Sequence, residues 1–111
     1  MDRTQGAVGD VLTADRVGGP LGERATLVQI SSAFCQPCRA TRRILEDVAG
    51  MVDGVVHTEI DAESHLELVR ELGITGTPTV FVLDARGRVV RRAVGQPRKP
   101  DVIAAIGEAV S

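Results

Sequence analysis

Leu27-Val28-Gln29-Ile30-Ser31-Ser32-Ala33-Phe34-Cys35-Gln36-Pro37-Cys38-Arg39 is the stretch from which the fold is read. Its first four residues form a short run that is apolar except at Gln29, the pattern of a strand buried on both faces. After Cys35 the period changes. Cys38, Leu45, Val48 and Val52 recur at helical spacing, with Arg39, Arg42, Arg43 and Glu46 mostly on other faces. Pro37 suits the first turn of that helix, where its missing N–H is not needed. Gly50 or Gly54 is expected to end it. The chain has 2 cysteines, too few for a disulfide-stapled scaffold or an all-cysteine zinc site. At a strand–helix junction, Cys-x-x-Cys points to redox chemistry.

Working outward, residues 55–60 (Val-Val-His-Thr-Glu-Ile) read as a second strand, β-branched and alternating. Residues 62–72 read as a short amphipathic helix with Leu66, Val69 and Leu72 inward and Gly73 as its stop. Gly76-Thr77-Pro78 interrupts the chain before a third strand over residues 79–83. Asp84-Ala85-Arg86-Gly87 is a turn, and residues 88–94 return as a fourth strand in an antiparallel hairpin. Pro100 or Asp101 opens a last helix through Val102, Ile103 and Ile106. A βαβ unit followed by a hairpin and a helix predicts an α/β domain with a mixed sheet and helices on both faces. Residues 1–26 are less regular: Asp10-Val11-Leu12-Thr13 offers a further strand, and Gly18-Gly19-Pro20-Leu21-Gly22 opposes a regular helix.

With 111 residues, 43% apolar and 25% charged, the chain suits a single domain over residues 1–111, its core lying within 27–107. Phe34 and Phe81 are the only aromatics, so the core must be aliphatic, and the stacking platforms of single-stranded nucleic-acid binding are missing. A net charge of −2 gives no duplex-binding footprint either. No apolar run approaches the ~18 residues of a membrane span. Met1-Asp2-Arg3-Thr4-Gln5-Gly6 lacks the apolar core of a secretory signal. The expectation is a soluble, cytoplasmic monomer, with the compartment open should an anchor precede this sequence.

The sequence resembles the thioredoxin family. The resemblance rests on Leu27-Val28, Phe34-Cys35-Gln36-Pro37-Cys38-Arg39, Ile60-Asp61, Leu72-Gly73-Ile74-Thr75-Gly76-Thr77-Pro78-Thr79 and Val94-Gly95. It implies a thioredoxin-like fold and a dithiol–disulfide oxidoreductase that acts on protein disulfides without a cofactor or metal. Cys35 would be the nucleophile, at a helix N-terminus whose N–H groups favour a thiolate, and Cys38 the resolving thiol. Phe34, Gln36 and Pro37 would flank the substrate. Pro78 would be cis against the redox pair, Thr77 would pair with the substrate backbone, and Gly95 would keep the surface open. Implied partners are oxidised proteins on one side and a disulfide reductase or low-molecular-weight thiol on the other.

The chain departs from the family at several of these places. Phe34 and Gln36 stand where many members have Trp and Gly, and Ser31 where a bulky aromatic is common. Gln29 stands where the family usually buries an Asp that helps move the resolving thiol's proton; glutamine cannot titrate. His57 lies where a Lys tends to sit near that Asp. One expectation is that His57 takes over proton transfer for Cys38; the other is that Gln29 and His57 are simply polar strand residues. Arg86, Arg88, Arg91, Arg92, Arg98 and Lys99 gather positive charge near the fourth strand. They read as a solvated, aggregation-resistant edge in preference to a basic docking surface. Two rival functions stay open: a metal or iron–sulfur protein using Cys35, Cys38, His57 and His65, and a redox-inactive adaptor with the same shape.

Overall fold

Ala25–Ser31 (β1) is buried at every residue, as expected of a strand with neighbours on both edges and layers on both faces. The computed structural model describes residues 6–111; Met1 to Gln5, including most of the stretch read for a secretory signal, lie outside the described residues. Three further strands, β2 (Val55–Asp61), β3 (Thr79–Asp84) and β4 (Val89–Val94), complete a four-stranded sheet in the order β2-β1-β3-β4. The β1–β2 pair is parallel, and the β1–β3 and β3–β4 pairs are antiparallel, so the sheet is mixed. Among the described residues four α-helices accompany it: α1 (Ala14–Val17), α2 (Gln36–Met51), α3 (Leu66–Glu71) and α4 (Lys99–Val110).

The period-two alternation of β1 divides the core. Ala25 and Leu27 join Val80, Val82, Leu45, Val48, Val102 and Ile106 in the layer under α2 and α4. Val28 and Ile30 face the opposite layer with Phe81, Leu83, Ile60, Leu72, Leu12 and Val17. The same parity sends Gln29, Ser31, His57 and Glu59 to the α2 side, so the polar residues of the two strands meet beneath the Cys-x-x-Cys turn.

Several expected boundaries move. The first helix after the cysteines runs to Met51, and its buried face includes Thr41 beside Cys38, Leu45 and Val48, while Val52 is only half-buried. Residues 62–72 are not one helix. A 3₁₀ turn over Ala62–Ser64 ends at His65, whose φ of −138° and ψ of 54° are non-helical, and α3 starts afresh at Leu66. The break resets the helical phase: Leu72 reaches the core as expected, but Leu66 is 64% exposed, Val69 is half-buried, and Leu68 packs against the core in their place. In α4, Ile103 faces outward at 43% exposure, while Val102, Ala105, Ile106 and Ala109 are buried.

The N-terminal segment contributes one antiparallel bridge, Val11 to Arg88, in place of a full strand. Thr13 caps the four-residue α1, and Gly18, at φ 79°, ends it. Leu12 is then held in the core by its N–H to the Gly87 carbonyl (2.8 Å). Among the described residues no helix is long and apolar enough to cross a membrane.

Candidate active site

Cys35 is the N-cap of α2, the extended residue at which β1 and its loop turn into helix. Pro37 occupies the first turn, where its lack of an N–H costs nothing. Cys35 and Cys38 are joined in a disulfide, with Cα atoms 5.2 Å apart. The sulfur of Cys35 also accepts the backbone N–H of Cys38 at 3.2 Å, a donor that α2 itself leaves unpaired. Cys35 is half-buried, whereas Cys38 is 2% exposed. Only the first sulfur is therefore open to a partner. Gln36 and Pro37 are exposed.

Phe34 is fully exposed and has a φ of 60°, the left-handed region that a bulky residue seldom occupies. The loop that presents it is tied down just before Phe34: Ser32 Oγ lies 2.7 Å from Thr77 Oγ1, and the Ala33 N–H donates to Glu63 Oε1 at 2.9 Å. The Thr77–Pro78 peptide bond is cis. Pro78 is buried, and its carbonyl accepts the N–H of Gly95 at 2.8 Å; Gly95 itself has a φ of 94°. Thr77 and Gly95 are thus neighbours through Pro78.

Beneath the disulfide, Gln29 is fully buried and satisfied on every side. Its Nε2 donates to the Cys38 carbonyl (2.8 Å) and to Ser31 Oγ (2.9 Å), while its Oε1 is 3.1 Å from His57 Nε2. Ser31 Oγ donates onward to Glu59 Oε2 at 2.7 Å, and Arg42 grips that carboxylate through Nε and Nη2 at 2.7 and 2.9 Å. The Arg42 guanidinium holds the Glu59 carboxyl below its usual range, against the opposing effect of burial. Burial lowers the His57 pKa from its ordinary value, with Glu59 and Glu46 pulling the other way. The sequence reading paired Gln29 with His57, and the side chains do meet; it missed Ser31, Glu59 and Arg42. Strand parity would have exposed Ser31 and Glu59 had the first strand been carried one residue further.

His65 turns to its own chain, its Nδ1 3.0 Å from the Asp61 carbonyl. Among the described residues no three His, Cys, Asp or Glu side chains are placed to hold a metal ion.

A thioredoxin-like domain model matches residues 18–111. The chain belongs to the thioredoxin-like family. A thioredoxin from Alicyclobacillus acidocaldarius is 30% identical over 80 residues, which cover 70% of this chain and 75% of the relative. Human thioredoxin domain-containing protein 2 is 38% identical over 58 residues, 52% of this chain but only 10% of that much longer protein. Chloroplastic thioredoxin z superposes with a TM-score of 0.71 at 24% identity, covering 78% of this chain and 79% of that one, a likeness of fold. The thioredoxin-like fold, the family and a cysteine pair at disulfide distance are together those of a thiol–disulfide oxidoreductase.

Proposed function

We propose that the domain reduces protein disulfides, with Cys35 as the attacking thiolate and Cys38 as the resolving thiol. The observation that carries this reading is the N-cap position of Cys35, whose exposed-side sulfur already accepts the Cys38 N–H. That N–H and the positive end of the 16-residue α2 favour a sulfur anion over a neutral thiol.

The reaction runs in two exchanges. The Cys35 thiolate attacks one sulfur of the substrate disulfide, forming a mixed disulfide, and the other substrate sulfur leaves with the electron pair and takes a proton from water. Cys38, having lost its proton, attacks the Cys35 sulfur, closing the internal disulfide and expelling the second substrate thiolate. Two electrons pass from the dithiol to the substrate. Thr77, Pro78 and Gly95 would receive the substrate backbone, with Phe34, Gln36 and Pro37 against its side chains; the Ser32–Thr77 contact, which brings the loop before Cys35 to the loop of Pro78, supports this assignment. Members of this family act on protein disulfides and are recharged by a reductase. For this chain, a thioredoxin reductase or a low-molecular-weight thiol would be the donor, acting on a monomer in a reducing compartment, the cytoplasm.

The test is the reduction potential of the Cys35–Cys38 pair, read by equilibration with glutathione and trapping of free thiols. A value near about −270 mV is expected of a reductant, and one near about −120 mV would make the domain an oxidant. Insulin reduction by the wild type, its loss in Cys35→Ser, and accumulation of a mixed disulfide in Cys38→Ser complete the test. A wild type that reduces no insulin disulfide would favour the adaptor reading.

A further inference from the structure

The hydrogen atoms of the network under the disulfide have a single consistent arrangement. The Cys38 carbonyl can only accept, so the Gln29 atom 2.8 Å from it must be the amide nitrogen. Ser31 gives its one hydroxyl hydrogen to the Glu59 carboxylate, an acceptor already held by Arg42. Ser31 Oγ must therefore accept the second Gln29 N–H. With both amide hydrogens committed, Gln29 presents only its oxygen to His57, and His57 Nε2 must carry a proton. Nδ1 is then the nitrogen that gains or loses a proton, and the bond to Gln29 survives in both charge states.

We propose that His57 is a positioning residue for Cys38: it holds Gln29 by Nε2–H, and Gln29 holds the Cys38 carbonyl, aiming the resolving sulfur at Cys35. This inference rests on the dithiol reading above and deepens it. It also differs from proton transfer. The imidazole nitrogen that faces the network already bears a hydrogen, so it has no lone pair to offer the Cys38 thiol. The carbonyl that Gln29 grips belongs to the residue whose sulfur must come into line with the Cys35–substrate bond, and small errors in such alignment are costly in rate. Charged groups near the ring are Glu59 on β2 and Glu46 and Arg42 on α2, while β1 contributes only the neutral Gln29 and Ser31. A change in ring charge alters none of the bonds between Gln29 and Cys38.

Ellman's reagent separates the two exchanges in the reduced protein, since the first thionitrobenzoate is released by Cys35 and the second by Cys38. His57→Leu is expected to slow the second release about tenfold, the loss of one partner in a buried hydrogen-bonded set, with the first release within about twofold of wild type. His57→Gln, whose amide N–H can reach Gln29 Oε1, is expected to restore most of the second rate. Any inflection in the wild-type resolution profile between about pH 5.5 and 8 should persist in His57→Gln. If His57→Gln is as slow as His57→Leu, or if an inflection disappears with it, His57 is a proton acceptor and the proposal is overturned. If the wild type releases no first thionitrobenzoate, the dithiol reading fails and this inference falls with it. A measurement on the unaltered protein guards against misfolded variants: ¹⁵N spectroscopy of oxidised wild type should find neutral His57 protonated on Nε2, and protonation on Nδ1 alone would overturn the assignment.

Discussion

Ser32 Oγ and Thr77 Oγ1, 2.7 Å apart, tie the loop that delivers Cys35 to the loop that carries the cis Thr77–Pro78 bond. One loop leaves the C-terminal end of β1 and the other enters the N-terminal end of β3; the antiparallel register, with Ile30 opposite Thr79, puts both at the same end of the sheet, where this hydroxyl pair links them. Thr77→Val keeps the shape and removes the bond. It is expected to cost about 1 kcal/mol of stability. In insulin reduction, KM should rise more than kcat falls, because the presenting loop is loosened while the cysteines stay paired. A fall in kcat with KM unchanged would mean that the hydroxyl pair serves the sulfurs and not the presenting loop.

The His57 imidazole should make folding sensitive to mild acid. Burial lowers its folded pKa from the ordinary 6.5, so protonation is harder in the folded than in the unfolded chain. The stability associated with neutral His57 is therefore present above pH 6.5 and is lost as pH falls from there through the lowered folded value. Urea midpoints of wild type should decline as pH falls below 6.5, with a flatter profile in His57→Gln. The Glu59 carboxyl acts in the same sense at lower pH, since its folded pKa is also lowered, chiefly by Arg42. Parallel wild-type and His57→Gln profiles would show that the ring gains a compensating partner on protonation.

Returning an acid to position 29 should reverse that sign locally. An ionised Gln29→Glu side chain has no hydrogen for the Cys38 carbonyl and is buried with only the neutral His57 Nε2–H beside it near about pH 8, so its pKa must rise. A group with a raised folded pKa favours folding below its unfolded pKa, and that contribution is lost as pH rises through the folded value. The variant should fall about 3 kcal/mol below wild type at about pH 8 and recover much of the gap near about pH 5, where the protonated acid can donate to Cys38. Urea unfolding at the two pH values measures both.

Arg92 is expected to matter more to stability than any other residue of the basic stretch. Its guanidinium donates to the carbonyls of Leu72 (2.6 Å), Gly73 (2.9 Å) and Gly6 (3.4 Å) and lies 5.0 Å from the centroid of the Phe81 ring. It thereby caps α3 and holds the N-terminal segment against the sheet. Arg92→Leu should cost about 2–3 kcal/mol in urea unfolding, and Arg92→Lys should restore only part, because an ammonium cannot reproduce the planar fork. Arg91→Leu breaks only an exposed pair with Glu108 (2.6 Å) and should cost less than about 1 kcal/mol.

Much of this architecture is legible in the sequence. The apolar run ending at Ile30, the change of period at Cys35 and the Thr77-Pro78 pair predict β1, α2 and the start of β3, because burial and helix geometry each leave a local repeat. The misplaced elements lack such a repeat. The break at His65 carries no Gly or Pro, so Leu66, Val69 and Leu72 imitate one continuous helix. The four-residue α1 is too short to show a period and depends on its Thr13 cap. The basic stretch shows a different limit: Arg91 pairs with Glu108, Lys99 lies 3.8 Å from Asp47, and Arg92 turns inward to main-chain oxygens. Identical charges acquire separate roles only when long-range neighbours are known. The polar layer around Gln29 was half visible for the same reason, since Arg42 reaches Glu59 only when α2 is laid across β2.

Phe34 belongs to neither apolar layer, stands wholly in solvent and holds a backbone conformation that glycine or asparagine would adopt with less strain. Folding therefore gains nothing from this aromatic ring, and its backbone conformation would be better served by a smaller residue, although it adjoins the open sulfur in sequence. Exchanging that side chain for another that tolerates the left-handed region would reshape the surface beside the sulfur and leave both apolar layers untouched. What stands beside the sulfur and what holds the scaffold together are set by separate residues.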